Sequence, residues 1–359
     1  MQETVNYANQ DATTPREELT ELAELILPTN PPARKLGVAL VGLGNYSTSQ
    51  LAPALQQTKF CELKGVVTGS PSKIPEWKNK YSIPDSHIYS YENFEEIGNN
   101  PDIDIAYIVL PNALHAEYVI RAAAAGKHVI CEKPMAISIK ECDRMIEACR
   151  NAGKLLSIGY RLHYDPHHIE VMRISREKVF GKITYMHAQH ALSKVSGWRL
   201  DKKLAGGGPL MDLGIYCLQA ACYVSNEEPV SVRVTEMAAM PGHDIEQSLS
   251  WEMTFGGGLI AKCETSYKYD MNLLHAQAEH GWVQLSPAFS YKYLIGKTAT
   301  GFLKIPSLNQ QALQMDDFAR SILENRPVKL PGEMGRTDLR VITAIYESME
   351  KKERVKIKA

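Results

Sequence analysis

A glycine-rich turn between the first apolar run and the first helical pattern constrains the fold more than any other feature. The apolar run Leu36–Val41 leads directly into Gly42-Leu43-Gly44-Asn45-Tyr46-Ser47. Glycine at 42 suits a tight turn, and glycine at 44 lets the backbone approach a pyrophosphate at the start of a helix. Glycines at any strand–helix turn give this local pattern, so the surrounding sequence decides what it indicates.

Apolar runs alternate with helical patterns over residues 35–158. Strands are expected at Leu36–Val41, Glu62–Val67, His87–Tyr89, Ile103–Leu110, His128–Cys131 and Leu155–Ile158. Helices are expected at Asn45–Gln57, Ser72–Lys80, Glu92–Ile97 and Ala113–Ala125, and from the capping box at Ser138 to Gly153. This alternation predicts an α/β domain with a Rossmann-type parallel sheet that helices cover on both faces. In that context the glycine-rich turn predicts dinucleotide binding.

The pattern changes over residues 159–359. Helices are expected from Asp165-Pro166 to Phe180, over Pro209–Tyr223, and near Gln310–Glu324 and Arg336–Lys351. Strand-like runs separated by glycine turns lie at Ile183–His190, Pro229–Met237, Ser248–Phe255, Leu259–Tyr267, Leu273–Glu279 and Trp282–Leu285. We therefore predict an α+β domain with a broad, largely antiparallel open sheet. An exposed face of that sheet would suit the pairing of subunits into a homodimer or homotetramer.

Residues 1–34 are expected to form an N-terminal arm. Thr14-Pro15-Arg16-Glu17 has the spacing of a capping box, and apolar residues from Leu19 to Ile26 share one face of the helix that follows. The arm is either a loosely attached tail or a segment that docks on a domain or a neighbouring subunit. Its start carries no basic, apolar or twin-arginine signal, which indicates a cytoplasmic protein, or a periplasmic one if an export signal has been removed.

Charge and cysteine content argue against several kinds of partner. Lys and Arg number 40 and Asp and Glu number 41, so the net charge of −1 gives no overall attraction to nucleic acid or to an anionic membrane. The odd count of seven cysteines, with no C-x-x-C pair, argues against a zinc site and a disulfide scaffold. One cluster has residue types that bind metals, but a helix start falls inside it and we expect no metal. It comprises His163, Asp165, His167, His168 and Glu170.

The end of the second expected strand indicates which dinucleotide binds. NAD-binding domains usually carry an acid there, which holds the ribose hydroxyls. This chain has no acid in the stretch from Val67 to Lys73, where Thr68, Ser70 and Ser72 offer hydroxyl groups and Lys73 offers a cation. Such groups suit the 2′-phosphate of NADP, although an ordinary polar loop would have the same composition.

Two loops follow the fourth and fifth expected strands, at the sheet edge where open α/β sheets bind ligands. After the fifth strand, Glu132-Lys133-Pro134 would bring Lys133 to the nicotinamide ring, where an ammonium group can hydrogen-bond a hydroxyl or carbonyl oxygen of the substrate. A solvated surface lysine is the alternative. After the fourth strand, Leu110-Pro111-Asn112 and His115 are candidates for the wall of the cofactor site, with helix capping as the alternative role of Asn112.

A second glycine-rich segment precedes a helix that carries two candidate site residues. Gly206, Gly207 and Gly208 would allow the helix start to approach a neighbour closely, and Asp212 and Tyr216 share one helix face. A phenol near a lysine and an oxidised nicotinamide would favour its phenolate form and could serve as a base for a sugar hydroxyl. The alternatives are a half-buried core tyrosine and a surface carboxylate near a helix start.

Taken together, these motifs resemble the glucose–fructose oxidoreductase/inositol dehydrogenase (GFO/IDH/MocA) family over about residues 35–350, most closely its glucose–fructose branch. Tyr at 216, where most members carry His, resembles that branch. The supporting stretches are Val41–Tyr46, Ile108–Glu117, Gly126–Met135, Ile158–Pro166, Trp198–Leu200 and Ala205–Tyr216.

The resemblance implies roles for individual residues. Lys133 and Tyr216 would be the catalytic pair, with Tyr216 as proton donor or acceptor and Asp212 as a substrate-binding partner. Thr68 and Lys73 would hold the 2′-phosphate. The residues implied to line the nicotinamide and sugar pocket are Tyr160, Arg161, Trp198, Arg199 and Tyr267.

The resemblance also implies an activity. In that branch NADP stays bound, partly under an N-terminal arm, while an aldose is oxidised at C1 to a lactone and a second sugar is reduced. The export signal is missing here, and a helix-like stretch replaces the mostly extended arm. An ordinary aldose dehydrogenase or a dicarbonyl or anhydro-sugar reductase with exchangeable NADP is the alternative. A regulator that senses NADP without chemistry is a further one, and the retained Lys133 and Tyr216 argue against it.

Overall fold

The computed structural model describes residues 32–358, so the helix predicted from Thr14 lies outside the described residues. The first half of the chain forms a six-stranded parallel sheet with the order β3-β2-β1-β4-β5-β6. Its strands are β1 (Leu36–Val41), β2 (Cys61–Val67), β3 (Ile88–Tyr89), β4 (Ile105–Ile108), β5 (His128–Cys131) and β6 (Leu156–Ile158). The predicted Rossmann-type sheet is confirmed, and its strand order reverses between β1 and β4.

Helices cover both faces of this sheet, which explains why every residue of β1 is buried. Helical turns follow the strands as predicted, with α1 (Ala52–Leu55), α2 (Ile74–Tyr81), α3 (His115–Ala124) and α4 (Ile139–Asn151). A π-helical turn, Ser47–Leu51, precedes α1, and short 3-10 turns lie at Pro71–Lys73, Asp85–His87, Phe94–Asn99 and Asn112–Leu114. The Ser138 hydroxyl accepts a hydrogen bond from the Glu141 amide (3.3 Å), so the predicted cap of α4 is confirmed.

The second half of the chain adds five helices. They are α5 (Pro166–Arg176), α6 (Lys202–Ala205), α7 (Ile215–Ser225), α8 (Gln310–Leu323) and α9 (Gly332–Lys351). A π-helical turn, Leu210–Gly214, precedes α7, and 3-10 turns lie at Arg161–Tyr164 and Gly197–Leu200. Asp165 caps α5 as predicted, but the helix ends four residues before Phe180, because Lys178 and Gly181 take left-handed backbone conformations.

A second sheet of nine strands has the order β14-β13-β12-β11-β7-β10-β9-β8-β15. Its longer strands are β7 (Ile183–Ala191), β8 (Pro229–Ala239), β9 (Glu246–Phe255), β10 (Ile260–Ser266), β11 (Met271–Ala278) and β12 (Gly281–Leu285). Three short strands, β13 (Gly296–Thr298), β14 (Gly301–Phe302) and β15 (Val355–Lys356), were not predicted. The sheet is antiparallel except where β7 pairs with β10 in parallel, which confirms the largely antiparallel prediction.

The end of the chain packs back onto the first sheet. Apolar residues of α8, among them Met315 and Phe318, pack with Val38 and Leu40 of β1 in one buried cluster. The Leu330 carbonyl accepts a hydrogen bond from the Ile158 amide (2.9 Å), just before α9 begins. Residues from the end of the chain therefore pack on β1 and bond the last residue of β6. Within residues 32–358, no helix has both the length and the apolar content needed to cross a bilayer.

Candidate active site

The glycine-rich turn after β1 has a closed side and an open side. Gly42 has a φ of +98°, and a Cβ there would lie 2.5 Å from the Val109 carbonyl oxygen. The Ser47 hydroxyl donates to the Gly42 carbonyl (2.6 Å), so serine at this position fastens the turn. A Cβ on Gly44, in contrast, would have no atom within 4 Å. The turn is thus held at Gly42, whereas Gly44 has open space beside it.

The end of β2 lies against this turn. Lys73 reaches across, and its Nζ donates to the Leu43 carbonyl at 2.6 Å. The Thr68 hydroxyl accepts a hydrogen bond from the Ser70 amide (3.0 Å), which shapes the loop. No acid occurs from Thr68 to Lys73, so this loop carries hydroxyl, amide and ammonium groups without a carboxylate. Groups of this kind can hold a phosphate of a dinucleotide, because hydroxyl, amide and ammonium groups donate hydrogen bonds to phosphate oxygens.

Asn112 and His115 hold the neighbouring loops in place. The Asn112 amide donates to the Ala205 carbonyl (2.8 Å) rather than capping a helix, and so ties this edge to α6. Both ring nitrogens of the buried His115 lie 2.9 Å from backbone carbonyl oxygens, those of Leu110 and Pro134. Burial lowers the pKa of His115. The side chains of the two predicted wall residues are therefore bonded to the protein's own backbone, Asn112 at Ala205 and His115 at Leu110 and Pro134.

Lys133, Asp212 and Tyr216 meet as the sequence predicts. The Lys133 Nζ donates to the Asp212 carbonyl (2.6 Å) and lies 3.6 Å from the Asp212 carboxylate. The same Nζ lies 4.7 Å from the centroid of the Tyr216 ring. The π-helical turn at Leu210–Gly214 adds a residue before α7, as such turns often do at functional sites. The ammonium group and the phenol are therefore side by side at the carboxyl end of the first sheet.

The Asp212 carboxylate accepts hydrogen bonds from two side chains. Arg199 Nε donates to its carboxylate (2.8 Å), and the Tyr267 hydroxyl donates to the same oxygen (3.3 Å). The Trp198 ring lies against the Arg199 guanidinium at 4.6 Å. Burial alone would raise the pKa of Asp212, but Lys133 and Arg199 outweigh it and the pKa lies below the ordinary value. The carboxylate is thus charged and held by two cations.

The three glycines before α7 approach two buried side chains. The Glu246 carboxylate accepts hydrogen bonds from the Gly208 amide (3.1 Å) and the Leu210 amide (3.0 Å). A Cβ on Gly207 would lie 2.0 Å from the Tyr346 hydroxyl. The close approach that the sequence predicts is therefore made to the protein's own residues, and it fixes the direction of the helix that carries Tyr216.

Tyr160 and Arg161 follow β6, and their side chains contact different residues. The Tyr160 hydroxyl donates to Asp338, while its ring lines a small cavity shared with Lys133 and Tyr216. Its hydroxyl is therefore occupied by a protein carboxylate. Arg161 is 2% exposed, and its guanidinium lies 5.2 Å from the Tyr216 ring centroid. Both residues thus adjoin the catalytic candidates as predicted, but neither is an open surface residue.

Glu132 is buried beneath the site. The Tyr107 hydroxyl donates to its carboxylate (2.8 Å), and the Gln314 amide of α8 donates in turn to that hydroxyl (3.3 Å). Burial raises the pKa of Glu132. This chain of hydrogen bonds connects the loop that carries Lys133 to a helix almost two hundred residues later.

Three aromatic residues of the site have no signal in the sequence. The buried His190 ring lies edge-on to Tyr216 (5.1 Å) and stacks on Phe289 (5.0 Å). The Tyr291 ring lies 5.7 Å from Tyr46, and so bridges the second half of the chain to the glycine-rich turn. Burial, together with Arg161 and Lys133, lowers the pKa of His190 to about 3. His190 lies on β7, whereas Phe289 and Tyr291 lie in the loop after β12, so only tertiary packing brings the three residues together.

The residues of the possible metal cluster point to separate partners. Asp165 caps α5 and accepts a hydrogen bond from Gln310 (2.7 Å), His163 bonds Gln219 (3.0 Å), and His168 bonds the Ala288 carbonyl (2.7 Å). Over residues 32–358, no group of three or more His, Cys, Asp or Glu side chains has a geometry that could hold a metal ion. The seven cysteines are free.

Comparison with known proteins identifies relatives of most of the chain. Residues 36–160 match a family described as an oxidoreductase family with an NAD-binding Rossmann fold, and residues 168–281 match the GFO/IDH/MocA C-terminal domain. The crystal structure of an aldose-aldose oxidoreductase from Caulobacter crescentus superposes with a TM-score of 0.87 and 37% identity. The alignment covers 90% of this chain and 100% of that one.

Two curated relatives are named for their activities. D-xylose 1-dehydrogenase [NADP(+)] of Haloarcula marismortui is 28% identical over 348 residues, which are 92% of this chain and 94% of the relative. 1,5-Anhydro-D-fructose reductase of Ensifer adhaerens is 30% identical over 232 residues, which are 64% of this chain and 68% of the relative. Similarity thus extends across both halves of the sequence.

Proposed function

The chain belongs to the GFO/IDH/MocA family of oxidoreductases, and we propose that it is an NADP-dependent sugar oxidoreductase. In this proposal it oxidises an aldose at C1 to a lactone and then reduces a second sugar with the same, tightly held cofactor. The observation that carries the proposal is the Lys133 Nζ, 4.7 Å from the Tyr216 ring and beside the Asp212 carboxylate. An acid–base pair next to a dinucleotide cradle suits hydride transfer at a C–OH group.

In the proposed reaction, Tyr216, Lys133 and Asp212 each have a separate role. A bound nicotinamide would supply the hydride acceptor for oxidation of the aldose and the hydride donor for reduction of the second sugar. The Tyr216 phenolate takes the proton of the C1 hydroxyl as the C1–H bond breaks, which leaves the carbonyl of the lactone. Lys133 donates a hydrogen bond to that oxygen and orients it. Asp212, held by Arg199, binds a neighbouring sugar hydroxyl. In the second half, Tyr216 gives its proton to the carbonyl oxygen of the second sugar.

NADP rather than NAD is proposed from the groups at the end of β2. Thr68, Ser70 and Lys73 supply donors, and the loop has no carboxylate to hold the ribose hydroxyls of NAD or to repel a phosphate. The 2.6 Å bond from Lys73 to the Leu43 carbonyl keeps the cation next to the glycine-rich turn. The Haloarcula relative named for NADP supports the same choice.

Two substitutions test the proposed pair. Lys133→Ala and Tyr216→Phe should each lower aldose-dependent NADPH formation by about 10²–10⁴-fold, because each removes a group that acts on the reacting oxygen. Binding of NADP, measured by the quenching of protein fluorescence, should persist in Tyr216→Phe. Wild-type turnover in both variants, with NADP bound, would refute the mechanism.

A second candidate keeps the chemistry but releases the cofactor in each cycle. The names of two relatives, a D-xylose 1-dehydrogenase and a 1,5-anhydro-D-fructose reductase, favour this ordinary dehydrogenase or reductase. Gel filtration separates the two proposals. Nucleotide that elutes with the protein supports the two-sugar reaction, and nucleotide-free protein that turns over only with added NADP supports the exchanging enzyme.

A further inference from the structure

The loop between β12 and β13 (residues 286–295) reaches the candidate active site from the second half of the chain. Its base is closed, because the Ser286 amide donates a hydrogen bond to the Ile295 carbonyl (2.9 Å). Compact surface loops whose ends meet in this way often carry function. The contacts of the β12–β13 loop therefore indicate what this one does.

Side chains from two other parts of the chain hold the middle of the β12–β13 loop. On β11, the Asn272 amide oxygen accepts hydrogen bonds from the backbone amides of Ala288 (2.7 Å) and Phe289 (2.6 Å). After β6, the Arg161 guanidinium donates to the carbonyls of Ser290 (3.1 Å) and Phe289 (2.5 Å). The backbone in the middle of the loop is therefore fixed.

Tyr291 comes directly after this fixed segment, and its ring contacts the glycine-rich turn. The ring centroid lies 5.7 Å from that of Tyr46 in the turn and 4.4 Å from the Arg161 guanidinium. The same guanidinium lies 5.2 Å from the Tyr216 ring centroid. Tyr291 is nevertheless 41% exposed, so part of it is open to a further contact. One loop residue thus contacts the turn directly and the catalytic tyrosine through Arg161.

These two contacts lie at the two ends of the proposed cofactor site. At the turn, a Cβ on Gly44 would have no atom within 4 Å, which leaves room for a pyrophosphate. At the other end, the Lys133 Nζ lies 4.7 Å from the Tyr216 ring centroid, where the nicotinamide would react. A dinucleotide that spans both ends therefore passes Tyr291 with its nicotinamide half.

We propose that Tyr291 covers the nicotinamide half of bound NADP, so that the β12–β13 loop must move before the nucleotide can leave. The inference rests on the proposed function, in which the glycine-rich turn binds NADP. It goes beyond that function by assigning the rate of cofactor release to one residue of the second half of the chain. An anchored loop that must open before a ligand leaves slows dissociation, and an aromatic ring adds a large contact area.

Dissociation of NADPH measures this role without turnover. Each protein is loaded with NADPH, freed of excess nucleotide and mixed with an excess of NADP, while the fluorescence of bound NADPH is followed. Tyr291→Ala should release NADPH about tenfold faster or more, because it removes the ring that covers the nucleotide. Tyr293→Ala is the matched control and should release at the wild-type rate, since Tyr293 lies in the same loop but is 79% exposed.

A second pair of variants leaves Tyr291 in place. Asn272→Ala removes the acceptor that holds the loop backbone, so it should accelerate release in the same direction by a smaller factor. Gln277→Ala is its control near the other end of β11, because that amide bonds the carbonyls of Ala278 and Gly281 instead. Equal release rates in the Asn272 and Gln277 variants would contradict the anchoring of the loop.

The outcomes separate this inference from the proposed function. Slow release from wild type and equally slow release from Tyr291→Ala would overturn the inference alone, and would leave Tyr291 as a contact that only joins the two halves of the chain. Rapid release from wild type that Tyr291→Ala accelerates further would support the inference and refute the retained cofactor of the two-sugar reaction. A wild type that binds no NADPH would refute both.

Discussion

The Lys73 side chain connects the two loops of the proposed cofactor site, through its hydrogen bond to the Leu43 carbonyl. Lys73→Glu places an anion where the 2′-phosphate would bind, so the ratio of NADP to NAD affinity should fall by about tenfold or more. Titration of each nucleotide against protein fluorescence measures that ratio. Lys78→Glu on the next helix is a control for the charge change alone. An unchanged ratio in Lys73→Glu would remove this lysine from the site.

At the residue scale, the sequence predicts the groups that follow strands better than the groups that pack beneath them. Lys133 and Asn112 are predictable, because parallel strands bring their carboxyl ends to one edge. Asp212 and Tyr216 are predictable from helical spacing. The contact between Arg161 and Gln310 joins residues 149 apart in the chain, and no local pattern encodes it.

At the scale of the element, the turn after β1 offers two glycines with opposite roles. Gly42→Ala should lower the free energy of unfolding by about 1–3 kcal/mol, because its φ of +98° and the close Val109 carbonyl do not accept a Cβ. Gly44→Ala should leave the unfolding transition of the nucleotide-free protein unchanged and weaken NADP binding, since its open side would face the pyrophosphate. Thermal unfolding with and without NADP measures both effects. Full NADP affinity in Gly44→Ala would contradict the assigned binding surface.

Helix α9 carries a buried acid that should make stability depend on pH. Asp338 is 1% exposed, and burial raises its pKa to about 7, although Tyr160 and Gln219 donate to it. The folded protein therefore retains a proton that the unfolded chain loses above pH about 4. The contribution of this proton to the free energy of unfolding is therefore fully present below pH about 4, and it is lost as the pH rises through 7.

Asp338→Asn cannot ionise and should remove this dependence. Between pH about 4 and 7 the free energy of unfolding should fall less steeply in the variant, by up to about 1.4 kcal/mol per pH unit. Urea denaturation at several pH values provides the measurement. Parallel curves for wild type and variant would show that Asp338 ionises normally in the fold.

Elements with strong periodic patterns are predicted well, and elements that depend on distant packing are not. The bounds of β1 and β5 agree with the apolar runs, because parallel strands buried on both faces are continuously apolar. The strand expected over Ile103–Leu110 shortens to β4, since only its centre pairs with β1. Strands β13 to β15 have two or three residues each, too few for a pattern, and the packing of α8 on the first sheet has no local signal.

At the scale of the whole molecule, the nine-stranded sheet has one face that residues 32–358 leave uncovered. On β7 and β10, Met186 and Cys263 are buried on the covered face, whereas Tyr185 and Ile260 are neighbours in register and about 40% exposed on the other. Two exposed apolar neighbours on an open sheet are suited to a contact with a partner, and the expected homodimer or homotetramer would provide one.

Ile260→Asp should therefore shift the protein toward monomers, because it introduces a charge into that contact. Light scattering coupled to gel filtration gives the mass of wild type and variant. Lys203→Asp, on the short helix α6 and outside this face, controls for the change of charge. A monomeric wild type would contradict the use of the sheet face in assembly.

The two-sugar cycle is tested most directly by the absorbance spectrum of the purified protein with no nucleotide added. On addition of excess glucose, the account predicts the appearance of the absorption band of reduced nicotinamide, and its disappearance when fructose follows. Tyr216→Phe should show the bound nucleotide without the change. A wild-type spectrum that does not respond to glucose, followed by steady turnover once NADP is supplied, would contradict retention of the cofactor and leave an ordinary dehydrogenase.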